Sequence, residues 1–215
     1  MQCKDNLNKF KNLFYESLRQ KEFYSYSKLQ FNRMFNGGWW IIRIAAKYSK
    51  ALSGFVVSFP LGFHLVEVEK IVSALCSTKY SSKSITGWYP NIGEMFDNKC
   101  FYEVLIKDNT NVNDVVNDVM YYFKKYVEPI ISKYQVPEEF YCAMDKSREL
   151  YSALNAEKMH FQYAAIFLIK KKYENAYNAL DSIQEKYYLI NGTAKENCKA
   201  IAKQIQESKN YAIDT

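Results

Sequence analysis

Histidine is scarce in this chain, glycine and proline are few, and acidic residues vanish from one long stretch. There are two histidines in 215 residues, His64 and His160, far apart in sequence. Imidazole is the commonest metal ligand, so a histidine-rich metal centre is excluded. The five cysteines are odd in number, and no two lie within 20 residues of each other. That spacing excludes a CxxC motif and argues against a disulfide framework, so reduced and mostly buried thiols are expected. No run approaches the roughly 18 apolar residues of a membrane-spanning helix. The opening "MQCKDNLNKF" lacks the apolar region of a secretory signal, and the expected compartment is the cytoplasm. No phosphate loop or nucleophile elbow occurs, and paired acids such as Glu67/Glu69 and Glu138/Glu139 are too generic for acid–base work. Neither enzymatic activity nor a cofactor is expected.

What is present is aromatic and basic. Aromatic residues make up 17% of the chain and hydrophobic residues 48%, enough for a full globular core. The net charge of +6 is local. Residues 1–110 carry 15 cations against 9 acids, whereas residues 111–215 carry 14 of each. Between Phe23 and Val66 there is no acid at all, but there are Lys28, Arg33, Arg43, Lys47 and Lys50.

Periodicity predicts an α+β fold: an N-terminal helix, a meandering antiparallel sheet, then a C-terminal helical region. Leu7, Phe10, Phe14 and Leu18 recur at helical spacing, with Asp5 as a plausible N-cap. Residues 23–35 and 39–48 alternate as strands around an Asn36-Gly37-Gly38 turn. A two-residue turn places Leu29, Phe31 and Phe35 on the face of Trp40, Ile42 and Ile44. In the second strand Ala46 and Tyr48 follow on that face. The other face carries Lys28, Gln30, Asn32, Arg43 and Lys47, with Trp39 and Ile41 near the turn. In "GFVVSFPLGFHLVEV", Phe55, Val57 and Phe59 share one face, and Pro60 marks a strand end or bulge. A short helix over 67–76 and a strand over 100–107 are expected next. From Asn113 the pattern is helical. Pro129 should kink or restart that helix, and Pro137 suits the first turn of another. Residues 147–171 and 173–188 read as a helical hairpin, with the small–aromatic spacing of a single tetratricopeptide-like unit. Gly192 suits a helix C′ position, and Thr193-Ala194-Lys195-Glu196 suits a capping box opening a last helix. The expected units are a sheet domain over 1–134 and a helical region over 135–215, packed together as one.

The acid-free window is the candidate site. Lys28, Trp39, Arg43, Lys47 and Lys50 are the expected partner-binding residues. Cations beside an exposed aromatic suit a protein interface whose partner is acidic. They also suit single-stranded nucleic acid, although no RNP-type motif appears. A solvated sheet face with no partner is the plain alternative. Trp39, Trp88 and Tyr89 could line a pocket or interface, or simply anchor a loop.

The residues Arg33, Asn36, Gly37, Gly38, Trp39, Trp88 and Pro129 carry a resemblance over roughly residues 7–134. In order and spacing they resemble a group of small bacterial cytosolic domains. There an N-terminal helix precedes an "xxRxxNGG" hairpin, tryptophan-bearing strands, a mid-chain tryptophan loop and a long helix with a late proline. Such domains look like immunity proteins of bacterial toxin systems. The resemblance implies a protein that neutralises a cognate toxin by binding it, with no catalytic residues of its own.

Overall fold

The computed structural model describes residues 2–89, 91–98, 100–146, 156–181 and 188–210. The fold is α+β. Helix α1 (Gln2–Arg19) buries Cys3, Leu7, Phe10, Phe14 and Leu18 along one stripe. Asp5 lies inside its first turn and is not the N-cap that its residue type suggested. The helix starts earlier because its first turn is tied down. The Cys3 thiol donates to Ile106 O at 3.0 Å, and Asn6 Nδ2 donates to Lys107 O and Asp108 O.

Strands β1 (Tyr24–Ser27) and β2 (Gln30–Phe35) follow. They form a tight antiparallel hairpin reversing at Lys28-Leu29, and the run 23–35 is therefore not one strand. Leu29 sits on that turn, 40% exposed, and not in the core where simple alternation placed it.

The next hairpin has the expected register. Strand β3 (Gly38–Arg43) pairs with β2 so that Phe35 faces Gly38, Arg33 faces Trp40 and Phe31 faces Ile42. Gly37 takes φ +85°, which a residue with a Cβ adopts only with strain. A Cβ there would also meet the Pro137 ring at 2.5 Å. At Gly38 a Cβ would lie 2.0 Å from His64 O, so the two strands could not approach.

The chain then bends. Strand β4 (Ala45–Ser49) continues β3 past Ile44, and β5 (Gly54–Ser58) returns to β6 (Leu61–Leu65) past Phe59-Pro60. Ile42 faces Leu61 and Ala45 faces Ser58, so one frame runs through the bend. Pro60 cannot donate to a ladder, but its carbonyl accepts from Arg43 N–H at 2.9 Å. One long hairpin thus belongs to two antiparallel sheets. The first has the order β1-β2-β3-β6-β7, where β7 is Gly87–Tyr89. The second has the order β4-β5-β8, where β8 is Glu103–Ile106. Because of the bend, Ala46 and Tyr48 overhang the core and are exposed, although they share a face with Trp40 and Ile42.

Helix α2 (Val66–Leu75) begins directly after β6, where Val66 N–H donates to Gly37 O. Helix α3 (Val112–Tyr122) runs through a π-helical stretch, Phe123–Val127, into α4 (Glu128–Lys133). Glu128 N–H reaches back five residues to Phe123 O. This wider turn precedes Pro129, whose ring and missing N–H disrupt regular α geometry. Helix α5 (Pro137–Lys146) opens at Pro137 as expected, and its Phe140 packs on Phe35, Trp40 and Phe63 under the sheet.

Helices α6 (Ala156–Ile169) and α7 (Tyr173–Asp181) form the predicted hairpin, and α8 (Tyr188–Asn210) follows. The ends predicted for that hairpin at 147–155 and 182–187 lie outside the described residues. Gly192 and Thr193 are interior to α8, so neither a C′ position nor a capping box occurs there. A glycine inside a helix costs only about 1 kcal/mol, and burial of Ala194 and Cys198 offsets it. The helical region is anchored through α2. Asn197 Nδ2 lies within hydrogen-bond distance of Ala74 O, Leu75 O and Ser77 Oγ and so ties α8 to the end of α2, where Ala74 O also accepts from Ser77 N–H. One buried cluster spans both halves of the chain, from Phe10 and Trp40 to Ala164, Leu180 and Cys198.

Candidate interaction surface

The outer face of the long hairpin is set by strand parity. It carries Trp39, Ile41, Arg43, Ala45 and Lys47 on the first arm, with His64, Gly62, Ser58 and Val56 opposite. On β2 it continues as Gln30, Asn32 and Met34. The two ends of this face differ in cover.

The end near the Asn36-Gly37 turn is roofed. Trp39 is half-buried and stacks on His64, with ring centroids 4.0 Å apart and planes 10° apart. The segment after α2 folds over them. His64 Nδ1 lies 2.8 Å from Ser84 O, and Nε2 lies 3.0 Å from the Tyr80 hydroxyl. A carbonyl only accepts, so Nδ1 carries the proton, and in the neutral ring Tyr80 donates to Nε2. Burial raises the Tyr80 hydroxyl pKa, and the Glu69 carboxylate adds to it. Glu69 itself is buried and accepts from Gln162 Nε2 at 2.9 Å, which joins α2 to α6. Ile41, expected on an open face, is buried. The Trp39 indole N–H is buried without a hydrogen-bond partner among the described residues.

The other end is open. Arg43 is half-buried, and Gln30 Oε1 accepts from its Nε at 2.9 Å. Gln30 Nε2 in turn donates to Asn32 Oδ1 at 3.1 Å. This chain fixes the guanidinium on the outer face. Lys47 on β4, Lys28 in the β1–β2 turn and Lys50 in the β4–β5 turn are exposed. None of these three lysines forms an ion pair among the described residues. Arg33 points to the other side and pairs with Glu22 at 3.1 Å.

The five sequence-predicted residues therefore separate. Arg43 and Lys47 share one face, Lys28 and Lys50 lie at neighbouring turns, and Trp39 lies toward the roofed end. Tyr89 is buried on β7, and the Trp88 side chain lies outside the described residues. Tyr24 and Met34 are exposed large side chains that sequence reasoning did not select. Their signal was parity: Tyr24 faces Asn32 and Met34 faces Trp39.

A second concavity was also missed. Phe96, Tyr102, Tyr122 and Tyr126 stack around a cleft of about 440 Å³ beside the π-helical stretch. The Tyr102 hydroxyl donates to Asp118 Oδ2 at 2.6 Å, and burial followed by that carboxylate raises its pKa. Its only sequence signal was the Tyr122/Tyr126 spacing. Among the described residues no group of three or more His, Cys, Asp or Glu could hold a metal. Also among them, no helix is long and apolar enough to cross a membrane. No protein-family model, curated protein or solved structure matches the chain.

Proposed function

We propose that this protein is a non-enzymatic binding module, specifically a bacterial immunity protein that neutralises a cognate toxin by covering part of its surface in the cytoplasm. The supporting observation is the open end of the outer face. It presents Arg43 held in place by Gln30 and Asn32, with Lys47 beside it, and exposed Tyr24 lies along the same face on β1. Arginine and tyrosine are enriched among residues that dominate binding energy. The charge selects an acidic partner and speeds encounter with it.

Coexpression with candidate toxin genes neighbouring its own tests this reading. The expected result is a stable complex and rescued growth. Arg43→Glu should weaken protection more than Lys203→Glu, a charge reversal on α8. The loss should lie mainly in the association rate and shrink with salt, since screening acts over about 8 Å at physiological ionic strength. Failure to complex any such toxin, with micromolar or tighter binding of single-stranded RNA, would refute the proposal and favour nucleic-acid binding instead.

A further inference from the structure

We infer that the free edge of β4 takes up an extended acidic segment of the partner as an added strand; this rests on the binding reading above and names how that partner is held. Strand β2 pairs with β3 only as far as Gln30, then the chain turns away into β1. The last bond across is Ile44 N–H to Leu29 O at 2.9 Å. On the opposite side Arg43 N–H bonds Pro60 O. Backbone groups alternate in direction along a strand. Ala46 and Tyr48 therefore point their N–H and C=O groups outward, into the line that β2 leaves vacant. No backbone hydrogen bond outside the β4–β5 ladder is made by residues 45–49 among the described residues.

Such an edge is usually guarded by charged side chains, lysine above all, or by proline, a covering loop or a bulge. Here β4 carries Lys47 alone, and its other residues are small or apolar apart from Ser49. Exposed apolar residues flank the slot: Leu29 at 40%, Tyr48 at 50% and Leu52 at 46%. Lys28 stands at one end, Lys47 midway and Lys50 at the other, and the chain from Phe23 to Val66 carries no acid; Glu103 of β8 lies on this side opposite Ser58, two strands in from the edge. A strand laid here has one side toward Lys47 and the other toward Ala46 and Tyr48. Its matching pattern is an acid alternating with an apolar residue. A second copy of this chain fits poorly, because antiparallel pairing centred on β4 sets Lys47 against Lys47 of the copy.

The test uses a capped ten-residue peptide alternating glutamate and valine, with a lysine–valine peptide as control. Amide exchange is followed by NMR on the full chain. The acidic peptide should slow exchange at Ala46 and Tyr48 by at least about tenfold, as pairing protects those amides. The lysine peptide should not. Ala46→Pro removes one outward N–H at an edge where proline is tolerated, and it should abolish protection at Tyr48. Lys47→Glu keeps every backbone group and should weaken peptide binding about tenfold or more through charge alone. Absence of protection, or equal protection by the lysine peptide, overturns the inference. So does a concentration-dependent dimer that Ala46→Pro dissolves. A toxin complex that depends on Arg43 yet leaves both amides unprotected overturns strand addition while the binding reading stands. Protection by the acidic peptide, with no toxin ever bound, supports strand addition and refutes the immunity reading.

Discussion

Replacing Asn91 with alanine should be among the most damaging single changes in the segment between β7 and β8. Its side chain is fully buried and makes three hydrogen bonds to the backbone. Oδ1 accepts from Gly93 N–H at 2.8 Å and from Tyr102 N–H at 3.0 Å, while Nδ2 donates to Tyr102 O at 2.8 Å. The amide thus closes the loop between β7 and β8. Alanine leaves these groups unpaired, and with about 1 kcal/mol per bond plus the cost of stranded buried groups, the loss is about 3–4 kcal/mol. Native stabilities are about 5–15 kcal/mol, so the variant should fold but unfold at clearly lower urea. With an m-value of about 2–3 kcal/mol/M, its midpoint should fall by about 1–2 M. Asn91→Asp sharpens the test. The new carboxyl keeps both acceptor bonds but faces Tyr102 O, where only a protonated acid can donate. Full burial and the facing carbonyl both favour the neutral acid, against the two N–H groups that favour the charge, and the expected net effect is a folded pKa above the ordinary value near 3.9. That contribution is present in acid, below the unfolded pKa, and is lost as pH rises through the folded pKa. The gap to the parent protein should narrow toward pH 4. A loss under about 1 kcal/mol for Asn91→Ala, or a pH-independent gap for Asn91→Asp, would refute the reasoning.

Other expectations follow from packing and backbone geometry. Ile42→Ala should cost about 2–5 kcal/mol in urea unfolding, since Ile42 is buried between Phe31 and Leu61. Lys171→Gly should stabilise by about 1 kcal/mol in the same assay, because Lys171 holds φ +59° at the end of α6 and glycine adopts that conformation freely. Among the thiols, exposed Cys142 should react first with a thiol reagent in the folded protein, whereas Cys198 should resist; burial raises its pKa and lowers its thiolate fraction at any given pH. In denaturant without reductant, all five should titrate as free thiols.

The hairpin register was legible because parity leaves two choices and the Asn36-Gly37 turn selects one. The bend at Ile44 was not, because alternation continues through it; only Pro60 on the opposite arm hinted at it. Leu29 was misplaced for a related reason. A two-residue reversal at Lys28-Leu29 carries no glycine or asparagine to announce it. The helix ends show the same limit. Glu22, Ser77 and Lys171 occupy left-handed positions that usually select glycine, while Gly192 lies inside a helix. Tertiary packing overrode local preference in each case. For the candidate site, composition picked out the acid-free window, and Arg43 with Lys47 do share a face. The roof over Trp39 depends on His64, Tyr80 and Ser84, residues whose approach no local pattern encodes.

The tether between α1 and the end of β8 bears on the order of events during synthesis. Cys3 finds its acceptor at Ile106, 103 residues further along the chain. The strands β1 to β6 pair almost entirely with near neighbours and can zip as they leave the ribosome. Helix α1 emerges before these strands but cannot seat its opening turn until β8 has been made. At about 5–20 residues per second, that is a wait of several seconds. Meanwhile Phe10 and Phe14 lack part of their final packing. Helix α1 is thus synthesised ahead of the strands β1 to β8 and yet is among the last elements of the sheet domain to be locked, and a chaperone that grips nascent apolar helices would find it during that interval.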